Sequence, residues 1–411
     1  MKFRSWVEHA RSRYHDMVAM GPRLKPWRAY WNWALANASM LLRTTRLHAR
    51  PLKLTFDPTN ICQLACPLCP TGLRIQDRKP DSAPLGAFER LMDEVGDYIF
   101  FLDLYNWGEP LLNPQLPDMI GIAARKGIVT CVSTNLSLPL PEDRLRALLT
   151  SGLSELIVSI DGASQATYGT YRRRGNWSLA VENLRRLAAA RKELGQGRPL
   201  LTWRFYVFRF NEHEIDRARA MAEEIGVDRI VFGTPFLEDA RFSAPEGIVD
   251  IDRGWASTIP EYNRYQPGHP EYSPPGTAAV RKRCDWHYVS TAINPDGTVS
   301  PCCAVYGMQN DFGVLDGSQS YMELVNGPRF RAIRDRFAGR RSDSTGLVCE
   351  RCPTPSIMNY GSILNRQIAL LTVAALWRAV FRAGEQGGQA PNPSPPSRLP
   401  QRTTGSGAPE M

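Results

Sequence analysis

From residue 52 to residue 232, short β-branched or aromatic runs alternate with stretches of helical periodicity, and that alternation admits few folds. Strands are predicted at Leu52–Asp57, Ile99–Tyr105, Ile128–Thr134, Leu156–Ile160, Leu201–Arg209 and Asp228–Phe232, each bounded by Gly, Pro, Asn or Asp. Helices are predicted between them at Leu85–Val95, Gln115–Lys126, Glu142–Thr150, Ser178–Glu193 and Glu212–Ile225. Six β-α units in series imply a parallel sheet with right-handed crossovers. The unusual residues all follow strand ends, where barrel enzymes place their chemistry, so an incomplete α/β barrel is favoured over a flat sheet.

The rest of the 411 residues reads as appendages to that barrel. With 43% hydrophobic and 22% charged residues the chain is globular, which excludes a wholly disordered, collagen-like or coiled-coil protein. No apolar run approaches the ~18 residues of a membrane span, and the start, MKFRSWVEHARSR, carries charge where a signal peptide would be apolar. A cytoplasmic protein is expected. The net charge of +9 suggests nucleic acid until it is located: residues 1–53 hold eleven Lys and Arg against Glu8 and Asp16, and the remainder is neutral. No nucleic-acid partner is expected. That basic segment also holds Trp6, Trp27, Trp31 and Trp33 in a largely helical pattern. It suits either a helical layer packed on the barrel with its tryptophans buried, or an anionic membrane surface or acidic partner, which would make the protein peripheral at the membrane.

Nine cysteines, an odd number with several two or three residues apart, read as metal ligands before disulfides. Cys62, Cys66 and Cys69 form a C-x3-C-x2-C loop directly after the first strand, with no fourth cysteine nearby. Three thiolates leave one position of an iron-sulfur cluster open for a ligand, whereas zinc would need a distant fourth residue. Further on, Asn294-Pro295-Asp296-Gly297-Thr298-Val299 is a hairpin signal that can bring Cys284 and Cys302 together, and Cys349-Glu350-Arg351-Cys352 adds a C-x2-C pair. These four close a second site, which on ligand chemistry alone fits a zinc ribbon as well as an iron-sulfur cluster. Cys131 and Cys303 are left over: Cys131 reads as a buried apolar residue, and Cys303 as the ligand in place of Cys302 or as a thiol facing substrate.

The cysteine loop resembles the hallmark of the radical S-adenosylmethionine (radical SAM) enzymes, and the likeness extends from about Pro51 to Phe236. Tyr105-Asn106-Trp107-Gly108-Glu109-Pro110 resembles the family's GEP motif, Ser133-Thr134-Asn135 ends the third strand, and Val158-Ser159-Ile160-Asp161-Gly162 ends the fourth, followed by Thr167-Tyr168 and Tyr171-Arg172. Trp107 stands where many members have Gly, and Leu136 replaces the Gly usual after Thr-Asn. The resemblance implies a partial (β/α)6 TIM-like barrel. In it Cys62, Cys66 and Cys69 hold a 4Fe-4S cluster, while Gly108, Glu109, Thr134, Asn135, Ser159, Asp161 and Arg172 surround S-adenosylmethionine. The second cysteine set resembles the SPASM or shorter twitch extension, which implies one auxiliary 4Fe-4S cluster on Cys284, Cys302, Cys349 and Cys352.

By the same resemblance the expected reaction is reductive cleavage of S-adenosylmethionine to a 5′-deoxyadenosyl radical, with electrons from a donor such as flavodoxin or ferredoxin. A radical SAM oxidoreductase acting on a small polar metabolite such as a sugar or aminocyclitol is the expected function, with oxidation favoured over epimerisation. The alternatives are a maturase that modifies a ribosomally made peptide, and a non-catalytic iron-sulfur or zinc protein. Cys303 and Cys131 are the candidate catalytic thiols. The expected organisation is an arm over 1–50, the barrel over 51–240, a Pro-rich linker or cover over 241–281, the SPASM/twitch domain over 282–360, a helix over 361–383 and a disordered tail over 384–411.

Overall fold

A computed structural model describes residues 19–75, 77–235, 253–267, 269, 284–352 and 360–382. The predicted alternation is present, as strands β1 (Lys53–Phe56), β2 (Phe101–Asp103), β3 (Val129–Thr134), β4 (Glu155–Ser159), β5 (Leu200–Tyr206) and β6 (Arg229–Gly233). All five neighbouring pairs are parallel. The strands' two-residue period sorts their side chains. Leu54, Phe56, Leu102, Val132, Leu156, Val158, Leu201, Trp203 and Phe205 share one buried core with Phe88, Met92, Ile120, Leu148 and Leu184 of the crossover helices. Alternate residues, among them Thr55, Asp103, Cys131, Ser133, Glu155, Ser159, Thr202 and Arg204, line the opposite, concave face.

That face is polar and internally paired. Lys53 bonds Asp103 at 2.6 Å, while Glu155 accepts from Thr202 Oγ1 at 2.6 Å and from Arg229. The short helix Gln165–Tyr171 is absent from the expected list; its signal is Ser164, whose hydroxyl accepts from the Thr167 N–H at the helix start.

The cysteine-bearing C-terminal region is not a separate appendage. Its first strand, β7 (Ala292–Ile293), pairs parallel with β1, and β8 (Thr298–Ser300) and β9 (Gly313–Val314) follow antiparallel, which makes one nine-stranded sheet. The turn between β7 and β8 is the expected one, with Gly297 at φ +80. Side chains reinforce the junction. Arg78 pairs with Asp296 at 3.0 Å and with Asp311, and the Asp77 carboxylate accepts from the Met308 N–H. Trp107, the departure from Gly, packs edge-on against Tyr306 and reaches the Val305 carbonyl at 3.4 Å.

Helices Trp27–Leu42 and Tyr360–Arg382 form a second core with Leu52, Phe100, Phe101, Val129 and Leu200, at the ends of the strands opposite the cysteine loop. They run antiparallel. Met40 lies at Gly361, Trp33 and Asn37 bond Asn365, and Gly21–Leu24 lies beside Ala375–Ala379. Lys25 anchors the pair by donating to the carbonyls of Gly96 and Lys126, and burial pulls its pKa down to about 8. The packed-layer expectation is therefore half right: the layer exists, yet Trp27 and Trp31 are exposed. No described helix is long and apolar enough to cross a membrane. Trp6, residues 241–252 and 270–281 of the expected linker, and the segment 384–411 lie outside the described residues.

Candidate functional site

The ends of β1 to β4 that carry the expected motifs converge on the Cys62–Cys69 loop. Gly72 lets that loop close: a Cβ there would stand 2.4 Å from both the N and the O of Cys66. Cys66 is buried, and Cys62 and Cys69 are partly so. Burial raises the Cys66 thiol to about 11, with Cys69 adding to the shift, and burial together with Glu109 raises Cys62 further, with Cys69 and Cys66 adding. Cys62 and Cys66 are thus unfavourable as bare thiolates, so their deprotonation calls for a bound cation. Two donors face the sulfurs, Asn135 Nδ2 at 3.9 Å from Cys62 Sγ and an Arg172 nitrogen at 4.0 Å from Cys66 Sγ. Among the described residues no group of three or more His, Cys, Asp or Glu side chains is placed to hold a single metal ion. This donor set fits a cluster held by three cysteines.

The strand-end motifs support this array more than they face outward from it. Glu109 is buried, and its carboxylate accepts from Thr134 Oγ1 at 2.7 Å, the Asn135 N–H at 2.8 Å and the Leu111 N–H at 3.1 Å. Its carboxylate thereby holds the end of β3. Asn135, so positioned, accepts from Gln63 at 2.8 Å and donates toward Cys62. Asp161 is likewise committed, to Arg172 Nε at 2.6 Å and the Tyr206 N–H at 2.6 Å, so it orients the guanidinium that reaches Cys66. Gly108 is required by close approach, since a Cβ there would lie 1.7 Å from the Thr59 carbonyl oxygen. Ser159 Oγ lies 3.5 Å from Ser133 Oγ on the concave face.

Asp57 was not singled out from the sequence. It accepts from the Trp107 N–H at 2.9 Å, its other oxygen has no partner, and burial raises its pKa to about 7. An aspartate ending the first strand five residues before the cysteine loop was the available signal. Leu136 occupies the left-handed region at φ 52 and is fully buried. The backbone there needs what a glycine supplies, and the leucine offsets the strain by packing in the core.

Over the loop, Tyr171, Phe208, Phe210 and Trp255 form an aromatic cluster in the same apolar group as Cys62, Cys66 and Cys69. Part of the expected linker therefore covers the loop, with the Arg209 N–H bonded to the Trp255 carbonyl at 3.0 Å.

In the second set, Cys302 is raised by burial and then by Cys303, Cys349 and Cys352, and Cys349 by burial and then by Cys284 and Cys352. Cys302 and Cys349 thus lie within electrostatic reach of each other and of Cys352, and Cys349 of Cys284. Cys303 packs with Cys284 and Cys302, and burial raises its thiol to about 12, with Lys53, Asp103 and the Thr55 hydroxyl of β1 and β2 as further influences. Cys302 thus neighbours Cys349 and Cys352, and Cys303 lies between Cys302 and the Lys53–Asp103 pair. Cys131 also faces Lys53, Asp103, Glu155 and Arg204, so both leftover thiols lie at one buried ion pair on the concave face.

Comparison with known proteins agrees with this geometry. The model for the radical SAM superfamily matches residues 56–218, and that for the SPASM iron-sulfur cluster-binding domain matches residues 284–353. The chain is 28% identical over 184 residues to a PqqA peptide cyclase of Gluconobacter oxydans, a match covering 45% of this chain and 49%, about half, of that protein. It is 24% identical over 362 residues to a PqqA peptide cyclase of Xanthomonas campestris, covering 79% of this chain and 85% of that protein. The fold is similar to Streptococcus suis SuiB bound to its precursor peptide SuiA, with a TM-score of 0.55, 15% identity, and coverage of 80% of this chain and 76% of that one.

Proposed function

As a member of the radical SAM superfamily with a C-terminal SPASM region, this chain is, we propose, an enzyme that modifies a peptide. When bound, a cluster on Cys62, Cys66 and Cys69 with S-adenosylmethionine supplies a carbon radical that takes hydrogen from an unactivated position, and a cluster on Cys284, Cys302, Cys349 and Cys352 supplies an electron acceptor. The protein's own residues do the positioning. Glu109 and Thr134 fix Asn135 against Cys62, Asp161 fixes Arg172 against Cys66, and the Tyr171, Phe208 and Trp255 cluster excludes water from the loop. An external one-electron donor of the flavodoxin or ferredoxin class is required to start each turnover.

The observation that favours a peptide over the small polar metabolite is the likeness to a PqqA peptide cyclase across both regions of the chain. Joining two side-chain positions of a peptide removes two hydrogens, one as an atom and one as a proton with an electron, so the closed second site has a use in such a reaction. A second reading is favoured by Cys303 and Cys131, whose raised pKa values keep them as S–H beside Lys53 and Asp103, the form able to return a hydrogen atom. That outcome is epimerisation.

The test is anaerobic incubation of the iron-reconstituted protein with reductant, S-adenosylmethionine and either a peptide library or a peptide-free metabolite extract, in deuterated buffer. Peptide-dependent 5′-deoxyadenosine with peptide lighter by two hydrogens supports cross-linking, and solvent deuterium at carbon lost in Cys303→Ala or Cys131→Ala supports the second reading. Stimulation by the metabolite extract alone overturns both.

A further inference from the structure

The helix pair at the far end of the barrel carries apolar side chains on its outward side as well as in its core. Of the ten most exposed large apolar side chains among the described residues, eight belong to this pair or its approach: Leu24, Trp27, Trp31, Leu41, Leu42, Val373, Leu376 and Trp377. Trp27 is 78% exposed and Leu41 81%.

Exposure follows helical spacing. Trp27, Trp31, Ala34, Ala38 and Leu41 make one exposed stripe of the first helix, and Ala369, Val373 and Leu376 make one of the second. The inward side of the first helix buries Ala29, Asn32, Ala36, Ser39 and Met40, with Tyr30, Trp33 and Leu35 packed at the edges. The first helix is therefore apolar on both sides. Neither helix contains an Asp or Glu, and their charged residues are all arginines: Arg28, Arg366, Arg378 and Arg382. The antiparallel pairing brings Leu24 and the tryptophan end of the first helix to the Ala375–Ala379 end of the second, where a 310 Å³ groove is lined by Arg23, Arg198 and Arg378.

We infer that this two-helix face is a peripheral docking surface for an anionic lipid bilayer. Exposed tryptophans suit the headgroup boundary, arginines suit anionic headgroups, and an apolar stripe on a helix too polar to span inserts its side chains while the helix lies in the plane. Charge complementarity selects the occupant: the excess of basic over acidic residues of the whole chain sits in residues 1–53, and both outward helices lack acids. A copy of this chain would bring like charge to the same face. Because the pair packs on Leu52, Phe101, Val129 and Leu200, at the strand ends opposite the cysteine loop, docking would turn the candidate site toward water. Such an orientation keeps a soluble peptide and an electron donor in reach.

The experiment is co-sedimentation of the full-length protein with vesicles of phosphatidylcholine alone or mixed with phosphatidylglycerol, at low and high salt. Binding is expected to the phosphatidylglycerol vesicles only, to weaken with salt, and to fall ~10-fold or more in the Trp27→Ser, Trp31→Ser, Trp377→Ser triple variant. Arg23→Glu with Arg366→Glu should remove the preference for anionic vesicles. These positions are away from the cysteine sites, so iron content and cofactor cleavage in solution are expected unchanged, which separates this inference from the proposed peptide chemistry. No binding at low salt, binding indifferent to the substitutions, or a dimer in sedimentation velocity that the triple variant dissociates would overturn it.

Discussion

The two cysteine sites differ in how they treat sulfur. At the barrel loop, Cys62 and Cys66 have nitrogen donors from Asn135 and Arg172 about 4 Å away, each held by a carboxylate, Glu109 or Asp161. At the C-terminal site, Cys302 and Cys349 are surrounded chiefly by other cysteines, and Cys284 and Cys302 pack in an apolar group with Trp286, Ala292 and Cys303. The first is an open array whose surroundings are polar and oriented, suited to receive a charged ligand. The second is closed in donor count, with Cys349 buried and its three companions partly so, suited to hold its group and exchange only electrons. The difference teaches that ligand number and the polarity around the ligands go together: an open position is useful only where polar groups fix what enters it.

The largest effect expected of this contrast is on iron and turnover together. Replacing Cys62, Cys66 and Cys69 with Ala should abolish cofactor cleavage and remove about half of the iron, by the cysteine count. Cys349→Ala with Cys352→Ala should remove the other half and product formation while sparing cleavage, as read by iron and sulfide analysis and by 5′-deoxyadenosine. If the second pair of changes also stops cleavage, the two sites are not separable and the contrast fails.

A smaller effect tests the carboxylate behind the donor. Arg172→Met leaves Asp161 buried without its partner and should cost about 3–5 kcal/mol in anaerobic urea unfolding. A loss below about 1 kcal/mol would mean that Asp161 is held by the Tyr206 N–H alone. The smallest effect concerns the backbone beside Asn135. Leu136→Ala and Leu136→Gly both lose buried packing, and glycine should be the less damaging by about 1 kcal/mol because φ is positive there, the reverse of the usual order.

The strand-helix alternation and the two cysteine sets were legible from residue order because each rests on local chemistry: two-residue and helical periods, Gly and Pro boundaries, and thiols close enough in the chain to share a loop. Cys303 shows where that legibility ends. Its neighbour Cys302 has the same side chain, and only the path of the chain after β8 turns one sulfur toward Cys349 and the other toward Lys53. Glu109 and Asp161 likewise stood out as acids at strand ends, but whether an acid faces a ligand or braces a neighbour depends on which N–H groups the adjoining strands bring to it. The outward tryptophans of the first helix contradict the ordinary rule of burial, and no periodicity argument reveals which side of a helix its partner takes. The sequence by itself determined the parallel barrel, the positions of both thiol sets and the excess basic charge. The tertiary structure alone decided that β7 joins β1 in one sheet, that Cys303 and Cys131 share a buried ion pair, and which helix face is left to solvent, because each depends on groups far apart in the chain meeting at contact distance.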